Sequence, residues 1–385
     1  MLTTYQSLVQ AGLYGFGTPP TNSAVKISDH ILSLIDYDNL DKCPIAKQFI
    51  PDPAEDTVID GEEWDSLGEE LHNVGHVLYR KYPNRCVLYV SSVCASFCRF
   101  CTRKRRVEDT SKDKENDYEA AFEYLRNTPE IEDVLVTGGD PLMLKPQQLD
   151  DFLSQLKIIP SVKCVRIGTR IPISDPDRIT DEMCEVISGN NVKVVNCQFN
   201  HPKEITPQTV RSIERMRNHS ISLNNQSVLL RGINDTVETM RELCMKLCEV
   251  EVRPYYLYQC DLIPGLSHFR TTITKGRYIH SKLRGTISGL AIPFYIVDLP
   301  AGMGKVHCTR DNFVEFDPEI TNQGPGVSFG DLKNPTLEYP VRKFFNYQNK
   351  SFLYDERVYC PHDLKDTARL IDEINGEAQS AKHKG

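Results

Sequence analysis

No apolar run in the sequence is long enough to cross a bilayer. The N-terminal Met1-Leu-Thr-Thr-Tyr-Gln-Ser7 lacks a basic region followed by a long apolar stretch, so no secretory leader is expected. Positive charge is not in excess either. The formal net charge of -8 argues against a general nucleic-acid binder, which would be basic. These absences point away from membrane and nucleic-acid partners. Cysteine, by contrast, is plentiful. Thirteen cysteines without a leader imply a reducing, cytoplasmic setting with free or metal-bound thiols. The 385 residues, 40% hydrophobic and 25% charged, suffice for a soluble protein with a substantial core.

Three of the cysteines crowd into Cys94-Ala-Ser-Phe-Cys98-Arg-Phe-Cys101. That spacing lets one short loop wrap three thiolates around a single iron–sulfur cube. A fourth cysteine would close a 4Fe-4S cluster completely, whereas three leave one iron open to a substrate or cofactor. The alternatives are a zinc loop or three unrelated buried thiols. Structural zinc usually takes paired ligands with a longer gap and is four-coordinate. Cys164, Cys184, Cys197, Cys244 and Cys248 stand singly in apolar runs and read as small core residues.

The rest of the chain sets this loop in a rhythm. Gly15 to Ser23 reads as a loop. From Ile27 the apolar spacing turns helical, and Asp52 to Gly68 reads as an irregular connector. Residues 1–80 are thus an arm and helical lead-in. Strands are expected at Cys86–Val90, Asp133–Val136, Lys163–Ile167, Val192–Phe199, Ser222–Leu230, Val252–Tyr258 and Pro293–Val297. Helices fall between them, with Asp117 and Thr180 as caps and Pro146 and Pro207 in first turns. Such alternation implies parallel pairing with right-handed crossovers. The expected fold is α/β, a partial (β/α)6 TIM-like barrel over 81–300, with a C-terminal extension over 301–385. In that extension Pro318 to Pro335 reads as loops, Val341–Asp355 as a hairpin and Leu364–Ile374 as a helix. The tail Lys382-His-Lys-Gly is expected to be disordered.

Chemistry in such a fold sits after the strands, and three further groups lie there. Thr137-Gly138-Gly139-Asp140 offers backbone that a ligand can approach closely, although a Gly-Gly turn is more often only a turn. Gly302-Met-Gly-Lys305 is not a phosphate loop, because Leu299 and Val306 stand where glycine and Ser or Thr are required. A lysine there can form a Schiff base with pyridoxal phosphate, and spacing alone equally fits a surface lysine. Asp261 and Asp298 each follow a strand. Two carboxylates facing one cavity need a cation between them, and their alternative is loop capping. The basic run Arg99, Arg103, Lys104, Arg105 and Arg106 is either a solvated face or a grip for an anionic group.

The sequence resembles the radical S-adenosylmethionine (SAM) superfamily, and within it the lysine 2,3-aminomutase family. The resemblance rests on the three cysteines with Phe100 before the last, and on Thr137-Gly-Gly-Asp-Pro. It rests further on Asn200-His-Pro-Lys-Glu-Ile-Thr206, Asn225-Gln-Ser-Val-Leu-Leu-Arg-Gly232, Arg253-Pro-Tyr-Tyr-Leu-Tyr-Gln-Cys-Asp261 and His268-Phe-Arg-Thr271. It runs from about residue 27 to 307. It implies a 4Fe-4S cluster on Cys94, Cys98 and Cys101, with SAM chelated at the open iron. Gly138, Gly139, Asp140 and Gln226 would meet SAM. Lys305 would bind pyridoxal 5'-phosphate and Arg85 the cofactor's phosphate. Lys81 replaces the arginine usual at its position. Arg103 would hold the substrate carboxylate, and Asp261 with Asp298 the lysine ε-ammonium.

The resemblance also implies a reaction. One electron from a flavodoxin or ferredoxin would cleave SAM to a 5'-deoxyadenosyl radical, which takes a hydrogen from the β-carbon of the amino acid. The amino group, carried on pyridoxal phosphate, would then move from the α- to the β-carbon. Lysine is the first expected substrate and arginine the nearest alternative. There are departures. The family's dimeric or tetrameric members carry a C-terminal zinc cysteine cluster with an upstream partner. Here Thr236 stands at the upstream position and the tail has only Cys360, so no structural zinc is expected and a homo-oligomer is left open. Gln198 replaces a histidine, and the segment after Lys305 is longer and dissimilar.

Overall fold

The computed structural model describes residues 1–13, 24–107, 110–309, 341–345, 348 and 350–382. The loop expected over Gly15–Ser23 and the loops expected over Pro318–Pro335 lie outside the described residues. So do the last three residues of the tail, while Lys382 ends a helix.

Ten strands form one sheet in sequence order: β1 (Asn73–Val74), β2 (Leu78–Tyr82), β3 (Arg85–Ser91), β4 (Asp133–Gly138), β5 (Cys164–Thr169), β6 (Val192–Cys197), β7 (Leu223–Leu229), β8 (Arg253–Gln259), β9 (Phe294–Leu299) and β10 (Gly304–His307). From β3 to β9 every neighbouring pair is parallel. The two N-terminal strands and β10 pair antiparallel at the two edges. No pairing joins β1 to β10, so the barrel stays open.

Helices α1 (Tyr118–Arg126), α2 (Pro146–Lys157), α3 (Asp181–Gly189), α4 (Pro207–Asn218), α5 (Val237–Glu249) and α6 (Ile273–Leu283) make the crossovers. Six β/α units therefore precede the seventh parallel strand, β9. Five of these helices begin where a side chain accepts from an early amide, Thr272 from Lys275 N among them. Asp117 accepts from Ala120 N, Thr180 from Met183 N, Thr206 from Thr209 N and Thr236 from Thr239 N. Pro146 and Pro207 occupy first-turn positions, where no amide is needed. Leu149, Leu153 and Leu156 show the burial spacing of the helix faces packed on the sheet.

The lead-in is helical only in short pieces, Asp29–Ser33 and Ala46–Phe49, joined by 3-10 turns. Its last residues turn into β1 and β2, because Leu78 and Tyr79 pair with Leu88 and Val87 along the free edge of β3. That pairing is non-local, and local periodicity carries no sign of it. At the other end β11 (Val341–Phe345) and β12 (Ser351–Asp355) form the expected hairpin, and α7 (Leu364–Lys382) runs further than Ile374.

Candidate active site

A cavity of about 230 Å3 lies along the concave face of the open barrel. Residues of β2, β3, β4, β5, β7, β8, β9 and β10 line it, and on β4 these are alternate residues, as the two-residue period of a strand requires. Arg85 and Val87 come from β3, Asp133 and Leu135 from β4, Tyr256 and Tyr258 from β8. Arg103, Gln226, Asp298 and Lys305 complete the set of expected site residues that share this cavity with Arg85.

Lys305 meets Asp298 because the β9–β10 hairpin places them directly opposite one another. Cross-strand partners on one face are near neighbours. Lys305 Nζ lies 2.5 Å from Asp298 Oδ2, and Lys81 Nζ lies 2.6 Å from Asp298 Oδ1. Burial alone would raise the Asp298 carboxyl, but the two ammonium groups outweigh it and hold it well below the usual range. Burial likewise works against the charge on Lys305, and Asp298 reverses that and keeps it protonated. The Lys305 amide donates to Tyr82 Oη at 2.8 Å. Gly304 is needed for this approach. Its φ is +94°, and a Cβ there would stand 2.9 Å from Tyr82 Oη.

Asp261 does not line the cavity but lies near enough to Asp298 to feel its charge. Burial first, and Asp298 second, push its carboxyl up to about 7. Its Oδ1 is buried and has no hydrogen-bond partner among the described residues.

Arg85 stacks over the Tyr82 ring at 3.8 Å. Among the described residues it makes no ion pair, so its charge is available to an anion. Arg103 is engaged. Its Nε and Nη2 lie 2.9 and 2.8 Å from Glu69 Oε1, and its guanidinium lies over Tyr89. Burial would raise the Glu69 carboxyl, yet Arg103 and Arg105 outweigh it and hold it down. A substrate carboxylate reaching Arg103 meets a guanidinium already oriented by Glu69. Sequence reasoning missed Glu69, which follows the acidic connector without any motif of its own.

The three cysteines cap the C-terminal end of β3, and each is partly buried. Burial pushes the Cys94 thiol far up, and the neighbouring Cys101, Asp140 and Cys98 add to it. Three bare thiolates here would repel one another, and a cationic iron cluster relieves that, so the donor set fits a cube. Among the described residues no three Cys, His, Asp or Glu side chains are arranged to hold a single metal ion. In a cube each thiolate has its own iron. Arg170, just after β5, donates Nη1 to Cys98 Sγ at 2.7 Å while Nη2 is held by Glu204 and Gln48. Nothing in the spacing of the sequence marks Arg170.

Gly138 and Gly139 serve a close approach, but of chain to chain. A Cβ on Gly138 would stand 2.1 Å from Ser91 O, and one on Gly139 2.6 Å from Val93 O. The amides of Gly139 and Asp140 donate to Ser91 O and Val93 O, which ties the end of β4 to the start of the cysteine loop. The Asp140 carboxylate is buried and accepts from Leu142 N, Arg170 N and Thr169 Oγ1. Burial raises its carboxyl to about 6. These three residues therefore shape the loop that carries the thiols.

A model of the radical SAM superfamily matches residues 88–244. Among similar proteins, the L-lysine 2,3-aminomutase of Methanococcus maripaludis is 41% identical over 283 residues, which is 73% of this chain and 65% of that protein. The chain thus spans slightly less than two thirds of that relative. The L-lysine 2,3-aminomutase of Fusobacterium nucleatum subsp. nucleatum is 41% identical over 335 residues, 85% of this chain and 79% of that protein. The glutamate 2,3-aminomutase of Clostridioides difficile is 43% identical over 282 residues, 72% of this chain and 66% of that protein.

Proposed function

The chain belongs to the lysine 2,3-aminomutase family of the radical SAM superfamily, and from that premise we propose that it moves the α-amino group of a cationic L-amino acid, lysine first, to the β-carbon. The observation that carries this reading is the charge pattern of the cavity. Arg85, Arg103 and Lys305 line the cavity together with Asp298, and Asp261 lies near enough to Asp298 to feel its charge.

When bound, the 4Fe-4S cluster and SAM supply a radical that takes and returns a hydrogen, and pyridoxal 5'-phosphate carries the migrating nitrogen. The chain's own residues bind and orient. Cys94, Cys98 and Cys101 hold the cluster, with Gly138, Gly139 and Asp140 shaping its loop and Gln226 reaching toward SAM. Lys305 is the cofactor lysine, and Arg85 takes the phosphate. Arg103 holds the substrate carboxylate bidentately, as guanidinium geometry favours. Asp261 and Asp298 hold the distal cation. Two carboxylates at that end oppose a glutamate side chain and favour an ammonium or guanidinium. The wall of the open barrel keeps water from the radical and fixes both ends of the substrate.

No described helix is long and apolar enough to cross a membrane. We place the enzyme in the cytoplasm, reduced by a flavodoxin- or ferredoxin-type donor and able to form a homo-oligomer. The test is anaerobic turnover of reconstituted protein with SAM, pyridoxal phosphate and a reductant. Lysine and arginine are offered separately, and products are resolved from their α-isomers by chromatography with mass detection. A β-amino product from lysine is the expected result, and one from arginine alone would move the substrate assignment. SAM cleavage with no β-amino product from either would overturn the cationic-substrate reading.

A further inference from the structure

Lys305 can bond the cofactor's aldehyde only after its ammonium sheds a proton, because the attacking nitrogen needs a free electron pair. Its surroundings oppose that loss. Nζ lies 2.5 Å from Asp298 Oδ2, and the Asp298 side chain is only 6% exposed. A buried carboxylate stripped of its partner is costly. The other oxygen of Asp298 is not waiting for Lys305, however. Oδ1 accepts from Lys81 Nζ at 2.6 Å, and Lys81 comes from β2, a different edge of the sheet.

We propose that Lys81 is a positioning residue for the Lys305 reaction: it keeps the charge of Asp298 paired while Lys305 becomes a neutral amine and bonds the cofactor aldehyde. This rests on the reading of Lys305 as the cofactor lysine. The bookkeeping closes without an oxidant or reductant. The ammonium gives one proton to solvent, the nitrogen–carbon bond forms, and the carbonyl oxygen leaves as water. Lys305 then leaves Asp298, and Lys81 stays.

The other groups facing Lys305 do not fill this role. Tyr258 on β8 presents its ring 5.5 Å from Nζ, and burial pushes its hydroxyl far above neutral pH. Tyr256 on the same strand is raised in the same way, by burial and by its bond with Tyr255. Tyr82 on β2 accepts from the Lys305 amide, not from Nζ. Asp261 adds negative charge and so favours the ammonium. Among the described residues Lys81 is the cation in contact with the second oxygen of Asp298.

Removing the charge of Lys81 leaves Asp298 to Lys305 alone. The ammonium is then held more tightly, and its proton leaves at higher pH. The experiment mixes purified protein with pyridoxal 5'-phosphate and follows the visible absorbance band over a series of pH values. The wild type, Lys81→Met, Lys81→Arg and Lys305→Ala are compared. In Lys81→Met the pH limb of the rate is expected to move up by about one unit, so the band forms about tenfold more slowly below it. Lys81→Arg restores the wild-type limb, because it restores the charge. An unchanged limb in Lys81→Met overturns the proposal. A role in packing alone would lower stability without moving the limb, and Lys81→Gln gives the same reading should the methionine variant not fold. A wild-type band that survives Lys305→Ala would instead overturn the cofactor-lysine reading, which keeps the two failures apart.

Discussion

Asp261 and Asp298 are two carboxylates that their neighbours drive in opposite directions. Asp298 has two ammonium partners and stays ionised. Burial first and Asp298 second push the neighbouring Asp261 carboxyl up to about 7, and its Oδ1 has no hydrogen-bond partner among the described residues. A carboxyl that holds its proton to about 7 in the fold, but only to about 3.9 when unfolded, binds more protons folded across that window. Stability therefore falls as pH rises from about 4 to about 7, and Asp261→Asn should flatten that fall. Catalysis asks the opposite, because a charged Asp261 attracts a cation. The KM for lysine should fall as pH rises through about 7. Asp261→Asn should remove that dependence and raise KM about tenfold or more, a loss of about 1.4 kcal/mol. Initial rates across pH for the two proteins check this, and an unchanged KM in the variant would remove Asp261 from the cation end. The sequence placed both aspartates after strands. It gave no hint that one is neutralised by Lys81 and the other left bare, because that depends on a contact between residues 81 and 298.

The β9–β10 hairpin is the element that turns a spacing into a site. Its register sets Lys305 against Asp298, and Gly304 lets β10 pass beneath Tyr82. An alanine at 304 must adopt φ near +94° and must also push Tyr82 aside. Gly304→Ala should cost about 1–3 kcal/mol, seen as a lower thermal midpoint, and should slow formation of the Lys305 band with pyridoxal phosphate. Elsewhere the elements were legible for local reasons. Asp117 and Thr180 cap helices because a side-chain oxygen three residues ahead of an amide suffices, and Pro146 and Pro207 suit first turns by their own geometry. The β1–β2 edge was not legible, since its strands exist through pairing with β3. Nor was the approach of the cysteine loop to Gly138 and Gly139, where a Cβ would meet the backbone of Ser91, Ser92 and Val93.

At the scale of the whole molecule, the segment after 340 is bound into the barrel although the family resemblance ends near 307. Asp363 accepts from Thr272 N and Glu356 from Thr274 N, so two C-terminal carboxylates cap the start of α6. Lys275 bonds Asp363 as well. Arg270, fully buried, donates to Tyr359 O, to Glu62 and to Asp261 O. The C-terminal segment thus braces, through Arg270, the backbone that carries Asp261. Within that segment Glu356 pairs with Arg342, 3.1 Å apart, and both bond Thr274 of α6. Glu356→Ala removes the carboxylate 3.1 Å from the buried Arg342, at a cost of about 3–5 kcal/mol. Arg342→Ala should also destabilise. The double variant should lose less than the sum by about 0.5–3 kcal/mol, because once one partner is gone the other is a burden. Denaturant unfolding of the four proteins measures this cycle. A single transition in each means that barrel and C-terminal segment unfold as one body, while the coupling measures the Glu356–Arg342 pair itself. Strictly additive losses would mean that Glu356 and Arg342 do not act as a pair.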